Sequence, residues 1–219
     1  MERSSSLKAQ PNEWQQAFSQ PAFIFLLVFA SCTLVLLFSF LPHFFHFIQG
    51  RQGITINDPF LSQLPNAPFN LSYIILPLTY LPAFLSVGWI ARYPYLFLRG
   101  LIAYNLLLAT RFVCLYLTPF EPPTGMVILH DVLAYGHHII TKDLFFSGHT
   151  ASLVLCFLLV KNKSLRIFLA CVITLLVALL LLQKIHYTID FVIAPFISYG
   201  CYQLAELIMK QFKRFGLTP

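Results

Sequence analysis

The 219-residue chain is 58% hydrophobic, contains 23 Phe, and is only 10% charged, against about 25% in ordinary soluble domains. So few charges cannot cover the surface of a soluble domain of this size. A secreted disulfide scaffold, a disordered chain and a soluble nucleic-acid binder are therefore set aside, despite a net charge of +6, and an integral membrane protein is expected.

A bilayer core about 30 Å thick takes roughly 20 apolar helical residues to cross. Six runs answer to that in chain order: Ala22–Leu41, Leu71–Ile90, Tyr95–Leu117, Leu144–Val160, Leu165–Leu182 and Phe191–Met209. The first follows the polar stretch 1–21 and exceeds a typical signal core, which predicts a retained span. The fourth is short and only just spans. Pro42–Asn70 carries Asp58-Pro59, Pro65 and Pro68, so an irregular loop is expected there. Pro119–Asp143 opens on Pro119, Pro122 and Pro123 and then carries His130, Asp131, His137, His138 and Asp143; loops of that length are usually functional or disordered. The expected organisation is a polar N-terminus (1–21), a six-helix domain (22–209) and a basic tail (210–219), without internal repeats.

The basic residues orient these spans. With a cytoplasmic N-terminus, that side holds Arg3, Lys8, Arg92, Lys161, Lys163, Arg166, Lys210, Lys213 and Arg214, and the other side Arg51, Lys142 and Lys184. This positive-inside bias predicts an all-α six-transmembrane-helix bundle with both termini cytoplasmic. The loop acids Asp58, Glu121, Asp131 and Asp143 all fall on the outer side. Cys32, Cys114, Cys156, Cys171 and Cys201 lie inside apolar runs at spacings that match no zinc motif, so they read as small hydrophobes.

Ionisable residues in or at the mouth of apolar spans are costly, and each asks for a partner or a task. Arg111 late in the third span, Ser147-Gly148-His149 opening the fourth, and His186 with Asp190 opening the sixth all fall at outer helix ends in this topology. One outward-facing pocket could gather them. His186 and Asp190, four apart, share a helical face. A carboxylate there can hold one ring nitrogen protonated and leave the other to attack. Taken alone, the pair fits a satisfied interfacial pair equally well. At a helix start, Gly148 would admit an anion close to the backbone, Ser147 could donate to a phosphoryl oxygen, and His149 could protonate a leaving alkoxide. Taken alone, that string fits a plain helix cap. His43 and His46 sit in a Phe-rich interfacial stretch and read as structural. His130, His137 and His138 close no zinc site, so no metal and no other cofactor are expected. Lys210, Lys213 and Arg214 read as a topology signal, with contact to anionic headgroups.

Together the strings are more specific. Asp143-Leu-Phe-Phe-Ser147-Gly148-His149-Thr150 followed by His186-Tyr187-Thr188-Ile189-Asp190 resembles the type-2 phosphatidic acid phosphatase superfamily, and within it the sphingomyelin synthase branch. That branch reads Gly-Asp-x-x-x-Ser-Gly-His-Thr, then His-Tyr-Thr/Ser-x-Asp, and carries an Arg with a Tyr five and a Thr seven residues later, as do Arg111, Tyr116 and Thr118. By this resemblance His186 is the nucleophile, Asp190 its orienting carboxylate and His149 the acid–base group. Arg111, Ser147 and Gly148 would hold phosphate, with Tyr116 and Asp143 against substrate. Lys142 stands where the branch has Gly. Its Pro-Leu-Pro-Asp motif is at best echoed by Asn57-Asp58-Pro59, from which nothing is carried over. The phosphatase branch's Lys-x6-Arg-Pro clamp is missing, leaving Arg111 as the buried cation for phosphate; an Arg paired to a carbonyl or to Asp143 is the alternative.

The resemblance implies headgroup transfer between lipids through a phosphohistidine, from a phospholipid donor to a lipid acceptor, on the periplasmic or lumenal face of a multi-pass protein. With water as acceptor it would be a lipid phosphatase. A non-catalytic scaffold, lipid-binding protein or transporter is the contrasting class, though transporters usually keep their charges near the midplane.

Overall fold

The computed structural model describes residues 13–65, 70–131 and 139–213. Among these there are eight helices and no strand: α1 (Glu13–Phe18), α2 (Pro21–Gln49), α3 (Pro59–Gln63), α4 (Ser72–Ile90), α5 (Pro94–Leu117), α6 (Gly148–Leu159), α7 (Lys163–Leu182) and α8 (Thr188–Phe212). Five of them, α2, α4, α5, α7 and α8, are long and apolar enough to cross a membrane, as a multi-pass membrane protein requires. Large apolar side chains such as Leu36, Phe84 and Phe196 point outward, which suits a lipid surround and not water.

Two expectations are corrected. The first span, α2, does not stop at Leu41; it runs through Pro42 to Gln49. Proline removes one intrahelical bond, but Leu41, Phe44, Phe45 and Ile48 are buried in one cluster with Leu108 and Leu115 of α5. That burial carries the helix past the break. The loop expected over Pro42–Asn70 is correspondingly shorter and holds the single turn of α3.

The fourth apolar run, Leu144–Val160, is helical only from Gly148 to Leu159. Twelve residues at 1.5 Å each reach about 18 Å, short of a bilayer core. None of the residues of α6 is exposed. It sits among α4, α5, α7 and α8, so a buried core helix produced the all-round apolar pattern. Leu144 and Phe146, just before it, are buried in a turn, where Phe145 adopts φ 104°. That backbone is left-handed and unusual for a bulky residue.

One end of the bundle is tied by Arg99 of α5, which pairs with Glu206 of α8 at 2.5 Å and lies 3.7 Å over the Tyr202 ring. At the other end, the segments after α2, α5 and α7 are laced together. Gln49 accepts from the Thr141 backbone and donates to its hydroxyl. Glu121 accepts from Gly53 N–H and from Lys142 Nζ, both at 2.8 Å. Ile54 and Phe120 form an isolated bridge, and a Cβ on Gly53 would meet the Phe120 backbone at 2.7 Å, so only glycine allows that approach. Lys142 therefore closes this lacework. The five cysteines form no disulfide; Cys156 and Cys201 are buried, while Cys32 and Cys171 face outward.

Candidate active site

The turn that precedes α8 builds the first half of the site. Its N-cap residue, Tyr187, gives the helix no side-chain cap, and the orphan amides are met by carboxylates. Asp190, fully buried, accepts from Tyr187 N–H at 3.2 Å, from Phe145 N–H at 3.2 Å and from His186 Nδ1 at 3.0 Å. A carboxylate only accepts, so the proton on this ring edge sits on Nδ1 and leaves Nε2 as the basic nitrogen. The Asp190 backbone carbonyl in turn accepts from Ser147 N–H. Asp190 thus joins both histidine strings, and the Phe145 conformation is the cost of bringing its amide there.

The second half is built across the bundle. Ser147 caps α6, accepting from Thr150 N–H at 3.3 Å and from the Thr150 hydroxyl at 3.1 Å. His149 follows on the first turn. Its Nε2 lies 2.8 Å from Asp131 Oδ2, and Asp131, 2% exposed, also accepts from the Tyr80 hydroxyl of α4 at 2.7 and 2.9 Å. His149 Nδ1 is buried and has no hydrogen-bond partner among the described residues. The two histidines are therefore mirror images in chemistry: each has one nitrogen on a buried carboxylate, His186 through Nδ1 and His149 through Nε2.

Both histidines and Asp143 line one small cleft with Leu129 and Thr141. His149 also stands, with Arg111, Asp143 and Gly148, on the wall of a largely apolar cavity of about 520 Å³ between α2, α4, α5 and α6. Arg111 is 7% exposed. It donates to the Phe146 carbonyl at 2.6 Å and forms an ion pair with Asp143. Its guanidinium lies across the start of α6, where a Cβ on Gly148 would come within 2.8 Å of it. Glycine at that position is what lets the cation reach the helix N-terminus, where an anion is favoured.

His149, His186, Asp190, Arg111, Asp143, Ser147 and Gly148 are thus brought together. Tyr116 is not among them: it faces outward, stacked on Phe47 with ring centroids 6.2 Å apart and beneath Arg51. His43 and His46 are exposed on the last turns of α2, and His130 is exposed on its loop. His137 and His138 lie outside the described residues, among which no group of three metal-ligating side chains forms.

Three participants are not legible in the sequence. Asp131 and Tyr80 lie 18 and 69 positions before His149, and no helical spacing relates them. Asp58 accepts from Thr188 N–H at 2.7 Å and from the Thr188 hydroxyl at 3.1 Å. Its carboxyl would be raised by burial, but hydrogen bonds from Leu61, Thr188 and Phe60 outweigh that and hold it below the ordinary value.

No curated protein and no solved structure matches the chain. Residues 142–207, which run from the turn before Asp143 through both histidine strings, match the family model described as PAP2 superfamily C-terminal, and this supports the type-2 phosphatidic acid phosphatase superfamily for the segment that carries the site.

Proposed function

We propose that this protein is a lipid phosphotransferase that moves a phosphoalcohol headgroup from a phospholipid donor to the hydroxyl of a second lipid, in the manner of sphingomyelin synthases, through a phosphohistidine. In the first step His186 Nε2 attacks phosphorus and the bond to the lipid alcohol breaks. His149 Nδ1 gives its proton to the departing oxygen. In the second step the same nitrogen takes the proton of the acceptor hydroxyl, whose oxygen attacks phosphorus as the phosphorus–nitrogen bond breaks. Arg111 and the first amides of α6 balance charge on the equatorial oxygens. Acid–base help of this kind typically gives about 10²–10⁴-fold, and the fixed cation and amides are asked for the rest.

The observation that carries the reading is His149 itself, which borders both the polar cleft shared with His186 and the apolar cavity. A reacting group there can have its phosphate in one and its acyl chains in the other. Hydrolysis is the second reading, favoured by the superfamily match, whose members include phosphatases as well as phosphotransferases.

The same proposal includes the orientation. The short helix α6 and its preceding turn count as the sixth crossing unit, both termini are cytoplasmic, and the site faces the periplasm or a lumen. The distribution of Lys and Arg supports this, and a reporter fused after Pro219 that proved external would overturn it.

The test of function uses purified protein in mixed micelles, with fluorescent ceramide or diacylglycerol and unlabelled phosphatidylcholine or phosphatidylethanolamine. Mass spectrometry should find a new phospholipid on the labelled acceptor, absent with His186→Ala. Free phosphate or phosphoalcohol with an unmodified acceptor moves the reaction to hydrolysis. Turnover that survives His186→Ala removes the phosphohistidine.

A further inference from the structure

We propose that Asp58, far outside the segment that matches the family model, is a positioning residue for His186: it fixes the first turn of α8 and so the aim of Nε2. The inference rests on the reading of His186 as nucleophile.

Tyr187 cannot cap the helix that it begins, because its hydroxyl is too far from its own backbone to reach the first amides. That hydroxyl is used elsewhere, donating to the Glu121 carbonyl at 2.9 Å and accepting from Ile56 N–H at 3.3 Å. The cap is supplied from 130 residues away, by the carboxylate of Asp58 on Thr188 N–H and on the Thr188 hydroxyl. A negative group at that position also suits the helix dipole. His186 therefore precedes two residues clamped by the Ile56–Asp58 segment, while Asp190 holds its ring from within the helix.

The clamp is itself anchored. Asp58 accepts from Phe60 and Leu61 N–H at 3.1 and 2.9 Å, which starts α3. Leu61 is buried with Tyr187 and Leu144, and Ile54 is paired to the backbone on either side of Phe120. Asp190 fixes the tautomer of His186 and ties α8 to the turn before α6 through Phe145 and Ser147 N–H; Asp58 ties the start of α8 to the segment after α2. Loss of the second restraint would let the turn drift while the His186–Asp190 pair stayed intact. A misplacement of about 1 Å can cost roughly 10²-fold in rate.

The experiment compares Asp58→Asn, Thr188→Val and the double variant with the wild type, in the mixed-micelle assay and by single-turnover phosphoenzyme formation quenched in base, with thermal unfolding of each in the same detergent. In Asp58→Asn the amide would face the Thr188 N–H donor. A fall in kcat of about 10–100-fold is expected, with KM within about twofold and phosphoenzyme formation slowed to match. Thr188→Val, which removes only the hydroxyl bond, should lose about two- to fivefold, and the double variant should be no worse than Asp58→Asn. Phosphoenzyme formation at the wild-type rate in Asp58→Asn overturns the inference, as does a rate that falls only with the folded fraction. If Asp58→Asn does not survive extraction, a full rate in Thr188→Val overturns it alone. A His186→Ala protein that still turns over refutes the functional reading instead.

Discussion

The two histidines of the site are held by the same kind of group in opposite ways. His186 takes its carboxylate from four residues along its own helix, and Asp190 is saturated by two backbone amides besides the ring. His149 takes its carboxylate from the long loop after α5, and Asp131 is held by a phenol from α4. The first pair is set within one stretch of five residues, with Phe145 as its distant donor; the second exists only when three separate parts of the chain meet. The half-site of His186, the proposed nucleophile, should therefore fail as a block, whereas that of His149, the proposed acid–base group, should be tunable.

Replacing each carboxylate by its amide breaks or sharpens that comparison most directly. Asp190→Asn turns a carboxylate oxygen among three donors into a fourth donor, disturbs the tautomer of His186 and pulls on Phe145. A loss of roughly 10³–10⁴-fold in kcat is expected, the scale seen when a catalytic histidine is held in the wrong tautomer, together with a lowered melting temperature. Asp131→Asn leaves an oxygen that can still face His149 Nε2 and lets Tyr80 adjust, so about 10–10²-fold is expected, with little change in melting. Substrates with a good leaving group need less proton transfer, and they should recover most of the Asp131→Asn loss but little of the Asp190→Asn loss. Equal losses with equal recovery would show that the two halves do not differ as described.

The same contrast explains what could be read in the sequence. His186 and Asp190 were legible because an i, i+4 spacing is a face of a helix. Ser147-Gly148-His149 was legible because a cap string announces a helix start. Asp131 showed only as an acidic residue of a histidine-bearing loop, and Tyr80 as part of a span; their pairing depends on α4 packing beside α6. Five of the apolar runs were recovered as long helices, since length and hydropathy need only local information. The end of α2 was missed because burial of Phe44, Phe45 and Ile48 against α5 outweighs Pro42. The fourth run was overextended because Leu144 and Phe146 are apolar in order to pack a turn, where a span would have needed the same composition.

Arg111 gives a sharper test of how the halves are joined, since it spans the start of α6 and pairs with Asp143. Gly148→Ala puts a methyl within 2.8 Å of a guanidinium whose other bonds fix it in place. The cation must move off the helix start, and kcat/KM should fall by about tenfold, the cost of roughly one charge-assisted hydrogen bond. Gly200→Ala, where a Cβ meets nothing within 4 Å, should leave kcat/KM unchanged and serves as the control. Unchanged kinetics in Gly148→Ala would mean that the present Arg111 position is not the one used in the reaction.

The smallest effect expected concerns the lacework that presents both halves. Glu121 is held below the ordinary carboxyl value, chiefly by its hydrogen bond from Lys142 and then by Gly53 N–H, and Asp58 is likewise depressed. A group with a depressed folded pKa contributes stability that is fully present above its unfolded value, near 4, and that disappears as pH falls through its folded value. Both pairs are partly solvated, so screening keeps the contribution small. Between pH 7 and pH 5 the melting temperature should not respond to either group. Below about pH 4 it should decline, and Glu121→Gln should remove part of that decline while lowering the plateau at pH 7 by about 2–4 °C. A decline that is the same in both proteins would place the acid-sensitive contact elsewhere in the bundle.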